Sequence, residues 1–171
     1  MTTSDTALVA AGITAAASIA VGVIGALAAY FAVKRDRRRV LYSEATKAAV
    51  AWEEMLYRVR RRQSGDEASL VAQFHELQDQ LTYYASWIAS ESKYMARSYG
   101  KLVEGTKSTT NPLISRAWKE PIRALPGDAT SEDKHPDLSR FTEAFLADVR
   151  SHLSPIFPRK IAVAWRNRKV D

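Results

Sequence analysis

Residues 6–39 read TALVAAGITAAASIAVGVIGALAAYFAVKRDRRR, and the abrupt change near their end decides how the chain after them is placed. From Thr6 to Val33 there is no charged side chain, a run of 28 residues bounded by Asp5 and Lys34. A helix crossing a bilayer needs about 20 mostly apolar residues at roughly 1.5 Å of rise each. The run exceeds that length and leaves room for tilt. Alanine dominates it, with Leu8, Val9, Ile13, Ile19, Val21, Val23, Ile24 and Leu27 supplying the bulk. A soluble core helix this long would keep a charged, solvated face, and this one has none. A cleaved signal peptide is the closer rival, because Ala26-Leu27-Ala28 has a small-x-small pattern. Its leader MTTSD, however, holds an acid and no Lys or Arg, the reverse of a signal n-region. The expectation is therefore a short tail over 1–6 and an uncleaved transmembrane anchor over 7–33.

Charge bias then sets direction. Only Asp5 precedes the run, whereas Lys34, Arg35, Arg37, Arg38 and Arg39 follow it against Asp36. Lys and Arg are retained on the cytoplasmic side, so the N-terminus is expected outside and residues 34–171 in the cytoplasm. Tyr30 and Phe31 fall at the inner interface, where amphipathic rings are favoured. Within the span, Ser18, Gly22 and Ala26 recur every four residues, and Gly25 with Ala29 forms a second such row. Small residues at that spacing let helix backbones approach, although an Ala-rich helix also produces such rows by composition alone.

The 171 residues carry a formal charge of +6, unevenly spread. Residues 34–63 carry +6 and 136–171 carry +3, while 64–104 carry −3. A juxtamembrane basic cluster is attracted to an anionic inner leaflet by about 1 kcal/mol per Lys or Arg near the surface. Membrane apposition thus accounts for the basic balance before nucleic acid is invoked. With no cysteine there is neither a disulfide framework nor thiolate chemistry.

After the anchor the pattern is all-α. Tyr42, Ala45, Ala49, Trp52, Leu56 and Val59 step by three and four, a heptad seam on a basic first bundle helix over 34–63. Ser64-Gly65-Asp66 ends it, with Gly65 suited to a left-handed helix terminus. Leu70, Phe74, Leu77, Leu81, Tyr84, Ile88, Met95 and Leu102 form a second seam, with Glu91 and Ser98 in its two polar positions. That pattern predicts one long helix over 66–104, paired with the first as an antiparallel hairpin at the heart of a helical bundle. Val71, Trp87 and Tyr94 hint at a wider apolar face that further helices or a second subunit would cover.

Residues 105–153 read as shorter helices around a polar loop. Asn111-Pro112 has the form of a cap and first-turn proline opening a helix to Lys119. PGDATSEDKH over 126–135 is the loop, and Pro136 opens a helix bearing Leu138, Phe141, Phe145, Val149 and Leu153. The basic tail 154–171 contains KIAVAWRNRKV, which fits a strand or a helix. No second convincing strand exists to pair with it, so the helix is favoured, docked on the bundle or resting its Trp165 on lipid.

Catalytic signals are weak. Gly100-Lys-Leu-Val-Glu-Gly105-Thr106-Lys107-Ser108 resembles a phosphate loop only loosely, because Thr106 separates glycine from lysine and a helix precedes it. His75, His135 and His152 are scattered, and His75 with Asp79 reads as a solvated helix face rather than a metal pair. Glu91 is the acid to watch, since burial on the seam would raise its pKa unless Arg58 or Lys93 pairs with it. Arg58-Val-Arg60-Arg61-Arg62 suits a helix C-terminus as well as phosphate. The expectation is a non-catalytic, single-pass interaction or scaffold protein without cofactor or metal, partnered by itself, another protein or the anionic leaflet. The rival is a holin-like or toxin-like effector assembling through Ser18, Gly22, Gly25 and Ala26.

Overall fold

The computed structural model of the chain describes residues 3–122, 136–154 and 157–168, with side chains described over 18–122, 136–154 and 161–168. Five helices are present among the described residues: α1 (Thr3–Arg60), α2 (Glu67–Glu91), α3 (Lys93–Lys119), α4 (Ser139–Leu153) and α5 (Phe157–Arg166). No strand occurs among them, and the tail that fitted either form is helical. The polar loop expected over 126–135 lies outside the described residues. The chain divides into two compact units, Met1–Arg39 and Val40–Asp171. The first is the long apolar helix, exposed along its described length from Ser18 to Val33.

In the second unit the seam of α1 is the core. Tyr42, Ala45, Ala49, Trp52, Leu56 and Val59 are all buried, so the heptad spacing marks the face that packs. The helix ends in a turn where Gly65 takes φ 97°, the left-handed conformation that costs glycine least. Asp66 and Glu67 carboxylates accept from the Gln63 and Gly65 amides at 2.8 and 3.0 Å.

The helix expected over 66–104 is two helices, broken at Ser92. That residue is extended (φ −163°, ψ 117°) and serves both sides: its amide bonds the Ile88 carbonyl, and its hydroxyl accepts from the Met95 amide. Serine competes with the helical backbone for hydrogen bonds and is a strong N-cap, which makes this the weak point of a long apolar pattern. The chain turns back here. Lys107 Nζ donates to Gln78 Oε1 at 2.8 Å although 29 residues separate them, a span of about 44 Å in one straight helix. Seam residues on both sides of the break, Leu81, Ile88, Met95 and Leu102, therefore share one core cluster.

A second difference concerns Pro112, which lies inside α3 instead of opening a new helix. An interior proline removes a backbone bond at a cost of about 3 kcal/mol, which α3 offsets by burying the turn after it. Ile114 and Ala117 pack there with Leu56 and Val59 in a smaller cluster. Asn111 is accordingly no cap; its Oδ1 accepts from Trp52 Nε1 at 3.2 Å. Helix α4 crosses α3 with Phe145 against Tyr99 (ring centroids 5.6 Å apart) and against Tyr42 (6.2 Å).

Candidate functional surfaces and the buried polar node

Along the apolar segment the side chains that a bilayer would meet are out in the open. Ile19, Val21, Val23, Ile24, Leu27 and Val33 are each more than half exposed. Ser18, Gly22, Gly25 and Ala26 fall on one face of the helix by their four- and three-residue steps. A Cβ added at Gly22 or Gly25 meets nothing within 4 Å, so that face is open. Tyr30 and Phe31 come next, with rings edge to face at 5.6 Å. Lys34, Arg35, Arg37 and Arg39 are exposed and Arg38 partly so. Arg39 stands 3.7 Å from Asp36, an exposed pair that contributes little.

The seam residues are gathered into the interior of the second unit. Trp52, Leu56, Leu81 and Ile88 are buried, and Phe74, Leu77 and Tyr84 pack against them. Trp52 is the best-held of these: its ring meets Phe74 at 5.5 Å and carries the Lys107 ammonium 4.4 Å above its face. Burial lowers the pKa of Lys107, and the ring's negative face partly replaces lost water. Elsewhere in the core Tyr99 donates to the Ala45 carbonyl at 3.3 Å, and burial pushes its phenol well above the usual range.

Several expectations of chemistry change place. Glu91 ends α2 in an exposed position, and the buried carboxylate among the described residues is Asp148 on α4. Asp148 accepts from Ser98 Oγ at 2.8 Å, from Asn167 Nδ2 at 2.7 Å and from two guanidinium nitrogens of Arg166. Asn167 in turn accepts from Lys101 Nζ at 3.0 Å on its side chain and from Arg97 at 2.9 Å on its carbonyl. This node ties α3, α4 and the end of α5 together and closes one side of a 770 Å³ cleft lined by Leu102, Gly105, Phe141 and Phe145. Its signal in the sequence is slight: an acid at 148 beside the buried Phe145 and Val149 positions, with no hint of which bases would reach it.

The remaining motifs resolve structurally. Gly100 and Gly105 both lie within α3, so their amides are engaged in helix. Gly105 is where Phe141 seats, since a Cβ there would stand 2.5 Å from two ring carbons. His75 and Asp79 lie on the outer side of α2, away from the buried seam residues Leu70, Leu81 and Ile88. Of the arginine cluster, Arg58 donates to Gln73 at 2.6 Å, and Arg62 is buried at 8% exposure. Arg62 donates to the Ala117, Trp118 and Glu120 carbonyls at 2.7, 3.1 and 2.6 Å, satisfying the orphan acceptors at the α3 terminus. Exposed aromatic surface remains on α2, where Tyr83 and Trp87 lie 6.3 Å apart, both more than half exposed.

Comparison with protein-family models, curated proteins and solved structures returned no match.

Proposed function

We propose that this chain is a single-pass membrane protein whose helical unit, Val40–Asp171, faces the cytoplasm as a non-catalytic interaction module. The observation that carries the reading is the apolar helix itself. Near the N-terminus one helix is long and apolar enough to cross a membrane, and its apolar window is unburied among the described residues. Exposing that much apolar surface to water is unfavourable by about 25 cal/mol per Å², and lipid removes the penalty. The cluster Lys34–Arg39 supports an inside location for the helical unit after it.

The interaction role is supported by how the polar chemistry is used. Asp148, Arg62 and Lys107 are committed to tying helices together. Free aromatic surface, by contrast, sits outside at Tyr83 and Trp87, the residue types that dominate binding energy at protein interfaces. For the bundle we propose an antiparallel pairing of the α1 end with α2. It is supported by the sequence of the contacts: Arg58 meets Gln73, whereas Trp52, earlier in α1, meets Phe74, later in α2.

The test is carbonate extraction and protease protection of a C-terminally tagged full chain in its host, followed by Trp87→Ala in a pull-down. The reading requires a carbonate-resistant chain of full mass, a tag shielded in intact cells, and co-purifying protein reduced by the substitution. An exposed tag in intact cells overturns the orientation, and a chain shortened after Ala28 overturns the anchor.

The open small-residue face supports a second reading, a membrane effector that self-assembles through Ser18, Gly22, Gly25 and Ala26. Expression would then depolarise cells, and Gly22→Leu or Gly25→Leu would abolish it. Silent membranes on strong expression refute this version.

A further inference from the structure

Helix α5 has two faces of different fate. Val163 and Asn167, four apart, are buried against the bundle. Ile161 and Trp165, also four apart, are exposed on the side roughly opposite, at 53% and 74%. Arg168 is exposed just past the helix end. The buried face is fastened through the Asp148 node, where Asn167 donates at 2.7 Å and Arg166 forms a pair from a half-exposed position. A fastened helix therefore holds an open tryptophan and an isoleucine outward, with the exposed Arg168 following it.

We propose that this outer face of α5 rests on an anionic lipid surface, with Trp165 and Ile161 in the headgroup layer and Arg168 against lipid phosphates. The inference rests on the membrane-anchored reading of the chain. Three considerations select lipid as the occupant. Tryptophan is suited to the boundary between apolar and wet layers, and a helix with cations beside its apolar stripe matches an anionic interface. The tail sequence brackets the stripe with Arg159, Lys160, Arg166, Arg168 and Lys169, complementary to that charge. Area is the third. One tryptophan and one isoleucine fall far below the ~800 Å² per partner of a stable protein interface. For a chain already tethered to the bilayer the contact is intramolecular in effect and needs no such area. Two copies meeting by this face would also bring two basic tails together, an unfavourable like-charge approach.

The test uses the full chain reconstituted in vesicles, comparing wild type with Trp165→Phe, which alters an exposed side chain and leaves the node intact. The difference spectrum isolates Trp165 from Trp52, Trp87 and Trp118. In vesicles containing phosphatidylglycerol with brominated acyl chains, the Trp165 emission should be blue-shifted and quenched, and Arg168→Glu should weaken the quenching. Flotation of the vesicles is read in parallel. A chain that fails to float overturns the anchor and this contact together. A chain that floats with Trp165 unshifted and unquenched overturns only the contact. A blue shift without bromine quenching means that protein covers Trp165, and equal quenching in wholly zwitterionic vesicles refutes the anionic lipid; either result overturns the proposal.

Discussion

The two glycines of α3 allow one substitution to be made twice with opposite results. Gly100 and Gly105 lie five residues apart in the same helix, and Gly65 is the one glycine with positive φ among those described. Placing alanine in a helix interior gains roughly 0.5–1 kcal/mol by restricting the unfolded chain. At Gly100 a Cβ meets nothing within 4 Å, so Gly100→Ala should raise stability by about that amount. At Gly105 the same atom would stand 2.5, 2.5 and 2.7 Å from three carbons of the Phe141 ring. Real contacts of this kind do not fall below about 3 Å, so helix α4 or the ring must shift. Overpacking of this kind costs about 1–3 kcal/mol, against the same propensity gain. The propensity contribution is common to both sites, so the difference between the two variants isolates the steric cost. We expect Gly105→Ala to lie about 1–3 kcal/mol below Gly100→Ala in stability. The assay is urea unfolding of the full chain in mild detergent, followed by tryptophan fluorescence at constant m-value. Phe141→Leu should narrow the gap by freeing the space. If Gly105→Ala stabilises as much as Gly100→Ala, α3 and α4 do not meet where Gly105 lies.

The buried polar groups give three further outcomes. Asp148→Ala removes the acceptor shared by Ser98, Asn167 and Arg166 and should cost about 3 kcal/mol, discounted from the buried-pair range because Arg166 is half exposed. Trp165 anisotropy should fall with it, and unchanged anisotropy would show that the node does not hold α5. Arg62→Ala removes the donor to two α3 carbonyls and to that of Glu120 just after them, and should cost about 2–4 kcal/mol by calorimetry, whereas Arg61→Ala, exposed next door, should lie within about 0.5. Equal effects at 61 and 62 would refute the cap. Tyr99 has a phenol pKa raised by burial, so above pH 10 the folded chain keeps a proton that the unfolded chain releases. Its contribution is complete below that pH and is lost as pH rises, at about 1.4 kcal/mol per pH unit. Tyr99→Phe should flatten this alkaline slope, and an unaltered slope assigns it elsewhere.

Some of this protein was readable from residue order alone because the signals are local or periodic. An uncharged run ending in Lys34 and Arg35 needs no partner to be recognised. The steps of three and four through Tyr42, Trp52 and Val59 name the buried face of α1, since helix geometry fixes which side chains share a side. Periodicity says nothing, however, about where an apolar helix stops. The seam from Leu70 to Leu102 keeps its register through Ser92, yet the chain turns back there, because packing Leu81 and Ile88 against Met95 and Leu102 outweighs a continuous helix. Pro112 shows the converse: an expected boundary is overridden when burial of Ile114 and Ala117 offsets a lost backbone bond.

The polar node lay further out of reach. Glu91 and Asp148 both interrupt apolar patterns in the sequence, and only the second is buried. What separates them is the arrival of Arg166 and Asn167 from α5 and Ser98 from α3, partners 18, 19 and 50 residues away. Desolvating a carboxylate is tolerated where such donors converge, and convergence is a property of the folded chain. Residue order determined the anchor-like run, its charged flank and the packing stripes, because these depend on composition and helical pitch. Tertiary structure decided the reversal at Ser92, the burial of Asp148 and the outward set of Trp165, because each depends on what packs on the other side.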